Sequence, residues 1–367
     1  MLSLYATGDL MLQRPVADLE HPGLRGWQER FQAASLVFTN LELALTSRGE
    51  RADKLVNLRA DPELARELSR FGIDVATLAN NHAMDYGLTG LRDTLAACEA
   101  AGVHTVGAGE DAAAAARPQI LCRGDLRVAF LGFATTLALG ASAAPDRPGL
   151  AGIRVVSRYV VDPVTVDENP GIAPYVETQL MPGDADLAAL AVTRAKEAAD
   201  VVVVGMHWGV PHGWTAAFQS ELADYQQPLA HRLIDAGADA IFGHHPHVLH
   251  GIEVYRGRPI FYSLGNFVFH SITRAQPALG RPYPFYSWRS LRSELNHLGG
   301  VARLAWDKAG GPQSAEFLPV WLDAAGDACP AGAAQAEAAL SRVEMLSEPF
   351  GSALSRTGEG LRIALED

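Results

Sequence analysis

Residues 239–250 read Asp-Ala-Ile-Phe-Gly-His-His-Pro-His-Val-Leu-His. The apolar run Ala240-Ile-Phe reads as a short buried strand that feeds directly into His244, His245, His247 and His250. Neutral imidazole is the commonest nitrogen ligand for zinc, iron and similar ions. A strand end carrying His-x-His can present two of them from one loop. Pro246 fixes its own φ and biases His245 toward an extended backbone.

Working outward, four more apolar runs end in the same kind of residue. Leu2-Ser-Leu-Tyr-Ala-Thr stops at Gly8-Asp9, and Ser35-Leu-Val-Phe-Thr stops at Asn40-Leu-Glu42. Ile73-Asp-Val-Ala-Thr-Leu runs into Ala79-Asn80-Asn81-His82 and then Asp85, while Asp200-Val-Val-Val-Val-Gly-Met ends at His207-Trp208-Gly209. A single Asp after a strand is commonly a helix cap. In an open α/β sheet, however, ligands bind outside the carboxyl ends of the strands. Five such ends in order point to one shared site.

The chain has 367 residues, 48% of them apolar, which suffices for one large α/β domain with a lid or for two domains. A formal charge of −12 argues against a nucleic-acid surface, which needs a basic stripe. Cys98, Cys122 and Cys329 form no CxxC and read as reduced packing residues of a reducing compartment. The first strand already supplies a site residue, and no run of eighteen apolar residues occurs, so a cytoplasmic protein without a membrane segment is expected.

Strand and helix alternate to about residue 135. Helices are expected at Pro62–Phe71, Gly87–Ala101 and Asp111–Arg117, and strands at Val103–Val106 and Arg127–Phe133. Residues 134–183 are interrupted by Pro145, Pro148, Pro163, Pro170, Pro174 and Pro182 and are expected to form a flap over the site. Alternation resumes with helices at Asp184–Ala199 and Phe218–Ala236. A hairpin then turns at Arg256-Gly257, strands follow at Val301–Trp306 and Glu316–Val320, and a helix spans Ala331–Leu346. The expected organisation is one domain over 1–325, with 270–297 as a second irregular insertion and 326–367 as a helical extension. Gly107-Ala-Gly109 completes neither a dinucleotide fingerprint nor a P-loop.

The strings GDLML, NLE, LANNHAMDYG, GMHWG, GHHPHV and YSLGNFVF resemble the CapA family of poly-γ-glutamate capsule proteins over roughly residues 2–270. Their order also resembles the ligand order of calcineurin-like metallophosphoesterases. The resemblance implies an α/β fold, a metallophosphoesterase-like two-sheet sandwich with its site on strand-end loops. It implies one or two divalent ions (Mn, Zn, Fe or Ca) held by some of Asp9, Glu42, Asn81, His207, His245 and His247. This chain departs from the pattern at several places. Met11 replaces the histidine of Asp-x-His, Glu42 stands for a bridging Asp, Pro211-His212 replace Glu-Tyr, and His270 replaces an Asp.

Three functions follow. Cα epimerisation of a peptide or polyamide residue would use His82, Asp85, His207 and His244 as bases, with Asp85 alternatively orienting His82. Phosphoester hydrolysis would use His82 to protonate the leaving group, with Arg14 and Lys54 as candidate phosphate clamps or mere surface charges. A non-catalytic partner role in a biosynthetic complex is the third. Asn80, Trp208, His212, Asn266 and His270 are candidate substrate contacts, and Trp214 and Trp288 could line an apolar groove. His21, His104, His231 and His297 stand outside any motif and read as structural.

Overall fold

The computed structural model describes residues 1–16, 21–54, 56–169, 175–209, 221–270, 293–307 and 311–366. Two large sheets face each other. The ten-stranded sheet runs, from one edge, Leu354–Arg356, Leu361–Ile363, Pro312–Leu322, Leu298–Trp306, Leu2–Met11, Leu36–Leu41, Val75–Thr77 and His104–Val106. Asn266–Phe269 also pairs with Leu2–Met11, and Ala328–Pro330 with Pro312–Leu322. The six-stranded sheet runs Ile252–Tyr255, Arg258–Phe261, Ala240–His244, Val201–His207, Leu126–Ala134 and Gln119–Arg123. Leu36–Leu41, Val201–His207 and Ala240–His244 are parallel strands buried along their whole length, as their unbroken apolar runs require of strands covered on both faces.

Between the sheets, Leu4, Phe38 and Val75 of the first meet Val128, Phe130, Val203 and Phe242 of the second. Helix Pro22–Gln32 places Leu24, Trp27 and Phe31 on the outer face of the first sheet. Helix Pro182–Ala198 buries Ala185, Ala188, Val192 and Ala195, one stripe at helical spacing, on the outer face of the second. The chain is therefore the expected metallophosphoesterase-like two-sheet α/β sandwich, with helices outside both sheets.

Several elements differ from expectation. The helix placed at Phe218–Ala236 begins at Gln226, whose own Oε1 accepts the Ala223 amide and closes the turn before it. The proline-punctuated segment contains an antiparallel pair, Val155–Val160 with Tyr175–Leu180, and a short helix Pro163–Glu168. Its first residues touch the site region, since Thr135 N donates to the His207 carbonyl. The strand pair is fastened elsewhere: Thr178 N donates to Asp224, and Met181 N to the Arg154 carbonyl. Residues 326–367 supply the expected helix, Ala333–Ser347, and also three strands of the ten-stranded sheet. The hairpin turn stands as expected, with Arg256 and Gly257 both at positive φ, the signature of a type I′ turn. Cys98 is buried but Cys122 is exposed, so only the former is a core residue. Among the described residues no helix is long and apolar enough to cross a membrane.

Candidate metal centre

The carboxyl ends of the parallel strands of both sheets converge. Asp9 is in register with Asn40 and with Asn266, and His207 with His244. The pairing of Leu2–Met11 shifts register at Asp9, a bulge that re-aims its carboxylate. The preceding Gly8 lets two backbones meet, since a Cβ there would lie 2.2 Å from the Gly265 carbonyl oxygen. Asp9 Oδ1 accepts from Asn40 Nδ2 at 2.8 Å and Oδ2 from the His245 amide at 3.1 Å, which ties the two sheets together. His245 has φ 99° and His247 φ 57°, both left-handed. The extended His245 expected before Pro246 is thus overridden by its amide bond to Asp9.

Asp9, Glu42, His207, His245 and His247 are all buried. Their ligand atoms form two groups, Asp9–Glu42–His247 and Glu42–His207–His245, each within 4.8 Å and both sharing Glu42. Among the described residues, Glu42 Oε1 has no hydrogen-bond partner. It lies 3.6 Å from His207 Nε2 and 3.8 Å from His247 Nε2. Those separations are too long for hydrogen bonds. They suit two donors on one tetrahedral ion, which at bond lengths near 2.1 Å sit roughly 3.4 Å apart. His247 Nδ1 donates to Asn266 Oδ1 at 3.0 Å, leaving Nε2 as the lone pair on the Glu42 side. That outer hydrogen bond is the usual companion of a ligating imidazole. The residues present therefore fit a divalent ion. Asn81 joins them through Oδ1, 3.1 Å from His207 Nε2.

The electrostatics agree. Burial pushes Glu42 well above the usual carboxyl range, and the charge of Asp9 adds to it. Burial also works against ionised Asp9, but bonds and charge from His247, with the Asn40 bond, hold it below its ordinary value. Burial and neighbouring imidazoles depress His207 far below its normal range, and His245 to about 3. Both rings are neutral near pH 7, the form that ligates metals.

Beside this cluster stands an acid–base pair. His82 Nδ1 donates to Asp85 Oδ2 at 2.6 Å, and burial outweighs Asp85 in lowering the imidazole's pKa. Lys54 Nζ donates to Asp85 Oδ1 and to the Asn81 carbonyl, each at 2.5 Å. Lys54 is thus part of the site rather than a surface charge. The sequence marks Lys54 only as a candidate phosphate clamp or surface charge, and it does not mark Asn40 as a site residue. Besides Asp9, its Nδ2 reaches His207 Nδ1 at 3.3 Å, while its Oδ1 accepts from Asn80. The place of Asn40 at a strand end beside Glu42 was the available signal; for the pairing of Lys54 with Asp85 there was none.

Other expected site residues turn out to be scaffold. Trp208 is fully buried, stacked on Tyr262 with Nε1 donating to the Tyr262 carbonyl, so it cannot line a substrate groove. Asn80 is equally buried; it donates to Asn40 and the Leu41 carbonyl and accepts from the His82 and Ala83 amides. Asn266 orients His247 and is fully buried. His244 Nε2 donates to the Thr7 carbonyl, which removes that nitrogen from proton transfer. His270 is held between the Gln13 amide and Asp327, whose other oxygen pairs with Arg14. His250 is buried within the second sheet's hairpin region, its amide bonded to the Ser263 carbonyl. His212, Trp214 and Trp288, with most of 270–297, lie outside the described residues. A separate grouping, His21–Asp323–Cys329, also has ligand-like spacing. Its imidazole is already committed at both nitrogens, Nδ1 to the Leu24 amide and Nε2 to Asp323.

Comparison with known proteins shows the family of the chain. The family model for bacterial capsule synthesis protein PGA_cap matches residues 3–271. The chain is 33% identical over 277 residues to the PGA biosynthesis protein CapA of Bacillus subtilis, covering 73% of this chain and 63% of that one. It is 36% identical over 241 residues to a probable polyglutamine synthesis accessory protein of Mycobacterium tuberculosis, covering 64% and 56%. It is 35% identical over 224 residues to the capsule biosynthesis protein CapA of Bacillus anthracis, covering 60% and 46%. The chain spans about half to two thirds of the length of these relatives. It belongs to the bacterial capsule synthesis (CapA-like) family.

Proposed function

We propose that this CapA-like chain is a metal-assisted acid–base enzyme that removes and returns a Cα proton on a peptide or polyglutamate-like chain. The observation that carries it is the buried His82–Asp85 pair set beside a cluster that fits a divalent ion. A divalent cation held by Asp9, Glu42, His207, His245 and His247 would supply Lewis-acid polarisation of a substrate carbonyl, acidifying the neighbouring Cα–H. Asp85 accepts the Nδ1 proton of His82, so Nε2 offers the lone pair that takes the substrate proton. His82 is depressed by burial, which favours a neutral base over the protonated acid that leaving-group hydrolysis needs. The two candidate clamps do not favour that role, since Lys54 pairs with Asp85 and Arg14 with Asp327. Of the further bases expected, His207 faces the ligand cluster, and His244 is fully buried with its Nε2 on the Thr7 carbonyl. The returning proton is therefore assigned to solvent. The polyamide class is supported by the names of the relatives, two of them for polyglutamate or polyglutamine synthesis.

One observation favours a second reading, metal-dependent phosphoester hydrolysis. Glu42 is shared by two ligand groups, the arrangement of a two-ion phosphoryl clamp. Incubation of the metal-loaded protein with glutamyl and other peptides in deuterated water, beside an aryl phosphate assay, separates the two. Deuterium entering at Cα, and lost in His82→Ala, is expected. Aryl phosphate turnover without exchange would replace this reading with hydrolysis, and absence of both in metal-loaded protein would leave an accessory binding role.

A further inference from the structure

Asp85 is a fully buried carboxylate with three donors around it. His82 Nδ1 and the Leu58 amide donate to Oδ2, and Lys54 Nζ donates to Oδ1. The strap that carries Lys54 is itself fixed on Asp85. The Ala52 amide donates to the Asp85 carbonyl at 2.8 Å, the Lys54 amide to the Ala52 carbonyl, and Asn57 Nδ2 to the Ala52 carbonyl. The Lys54 side chain is only 20% exposed. The chain holds 27 arginines and 3 lysines among its 30 basic residues, so a lysine here is a departure from its habit. A compact ammonium brings three donors to one point, and here it serves both Asp85 Oδ1 and the Asn81 carbonyl.

We infer that Lys54 is a positioning residue for the His82 base. Its charge and its bond to Oδ1 hold the Asp85 carboxylate with Oδ2 toward His82 Nδ1, which places the ring proton on Nδ1 and turns the Nε2 lone pair outward to the substrate. Its second bond, to the Asn81 carbonyl, fixes the residue that joins this pair to the ligand cluster. The ammonium also lies 3.4 Å from His82 Nδ1. The inference rests on the reading of His82 as the base, but its test requires neither substrate nor turnover.

The test is nitrogen-15 NMR of the full chain labelled at histidine, with the His82 resonances assigned through His82→Gln. In the wild type, a single Nδ1-protonated tautomer is expected at His82. In Lys54→Met that single-tautomer signature is expected to be lost, while the far-ultraviolet circular dichroism is unchanged. Lys54→Gln keeps a donor without the charge, provides the same readout should the methionine variant not fold, and is expected to lose the signature too. Lys54→Arg restores the charge and is expected to recover it at least in part. Retention of the wild-type signature in Lys54→Met or Lys54→Gln would overturn the inference. So would a wild-type His82 that carries its proton on Nε2. Absence of deuterium exchange on every peptide, with the tautomer effect intact, would reject only the proposed reaction.

Discussion

Replacing Glu42 by glutamine keeps the volume of a fully buried side chain and removes only its ability to carry charge. Without a cation, burial and Asp9 hold this carboxyl well above its ordinary value of 4.5, which favours its neutral form, and glutamine mimics that form. With a cation bound, Glu42 serves both ligand groups, and its loss takes a charged ligand from each. An ion present at a hundred times its Kd stabilises the folded state by about 2.7 kcal/mol. For 367 residues, with an unfolding entropy near 2.1 cal/mol/K per residue, that is a rise in Tm of about 3–4 °C. Thermal unfolding with Mn²⁺ or Zn²⁺ against EDTA measures it. The wild type should gain that shift and lose it on chelation, whereas Glu42→Gln should gain less than about 1 °C. The pH dependence supplies an independent sign. Because the folded pKa of Glu42 is raised, its contribution to metal-free stability is fully present below about 4.5 and is lost as pH rises through the folded value. Metal-free wild type should therefore weaken relative to Glu42→Gln as pH increases. An equal metal shift in both proteins would refute the assignment of Glu42, as would a metal-free Glu42→Gln that is markedly the less stable of the two.

The buried histidines carry the opposite sign. His245 and His250 are depressed by burial from 6.5 to about 3, so their contribution is present above about pH 6.5 and lost as pH falls toward 3. Urea midpoints of the metal-free protein should drop from pH 7.5 to pH 5, and a flat profile would contradict neutral burial of these rings. Asn266→Ala removes one of the two acceptors facing His247 Nδ1, the other being Asp9 Oδ2, and should weaken divalent-ion affinity about 10- to 100-fold by calorimetric titration; unchanged affinity would remove His247 from the ligand set. Trp208→Phe should cost about 1 kcal/mol for the lost bond to the Tyr262 carbonyl, and Trp208→Ala about 3–5 kcal/mol, in denaturant unfolding. Near-wild-type stability of the alanine variant would disprove its role as core.

The sandwich was legible because its central strands are uninterrupted apolar runs with a polar residue at each carboxyl end, and a parallel strand buried on both faces needs that composition. The ligand residues were legible for the same reason: Asp9, Glu42, His207, His245 and His247 all close such runs. What stayed hidden is which way each neighbour turns. His244 gives its Nε2 to the carbonyl of Thr7, 237 residues away, and His270 takes the Gln13 amide across 257. No window of sequence contains those partners. Trp208 and Asn80 sit inside recognisable motifs, yet they serve the packing beneath the site rather than the site itself. The role of Lys54, named only as a candidate clamp or surface charge, was hidden for a different reason, since only the folded strap brings its ammonium to Asp85.

The loop that decides the fold is also where the backbone is strained. Left-handed φ at a non-glycine residue costs of the order of 1–3 kcal/mol, and here His245 and His247 both adopt it. Such geometry persists only when its surroundings enforce it. Asp9 does so for His245 by accepting its amide, and Asn266 and Asn296 do so for His247 by donating to its carbonyl. These three side chains come from the other sheet and from the segment that follows it, so the strain is relieved only if the sheets separate. An extended loop would be the cheaper backbone, with His245 and His247, two residues apart, on one face of it. The strained loop instead places one imidazole in each ligand group, on either side of the shared Glu42. Closure of the sandwich and assembly of the candidate metal centre are therefore the same event. A substitution that frees this loop, such as Asn296→Ala, should weaken ion binding even though residue 296 touches none of the ligand atoms.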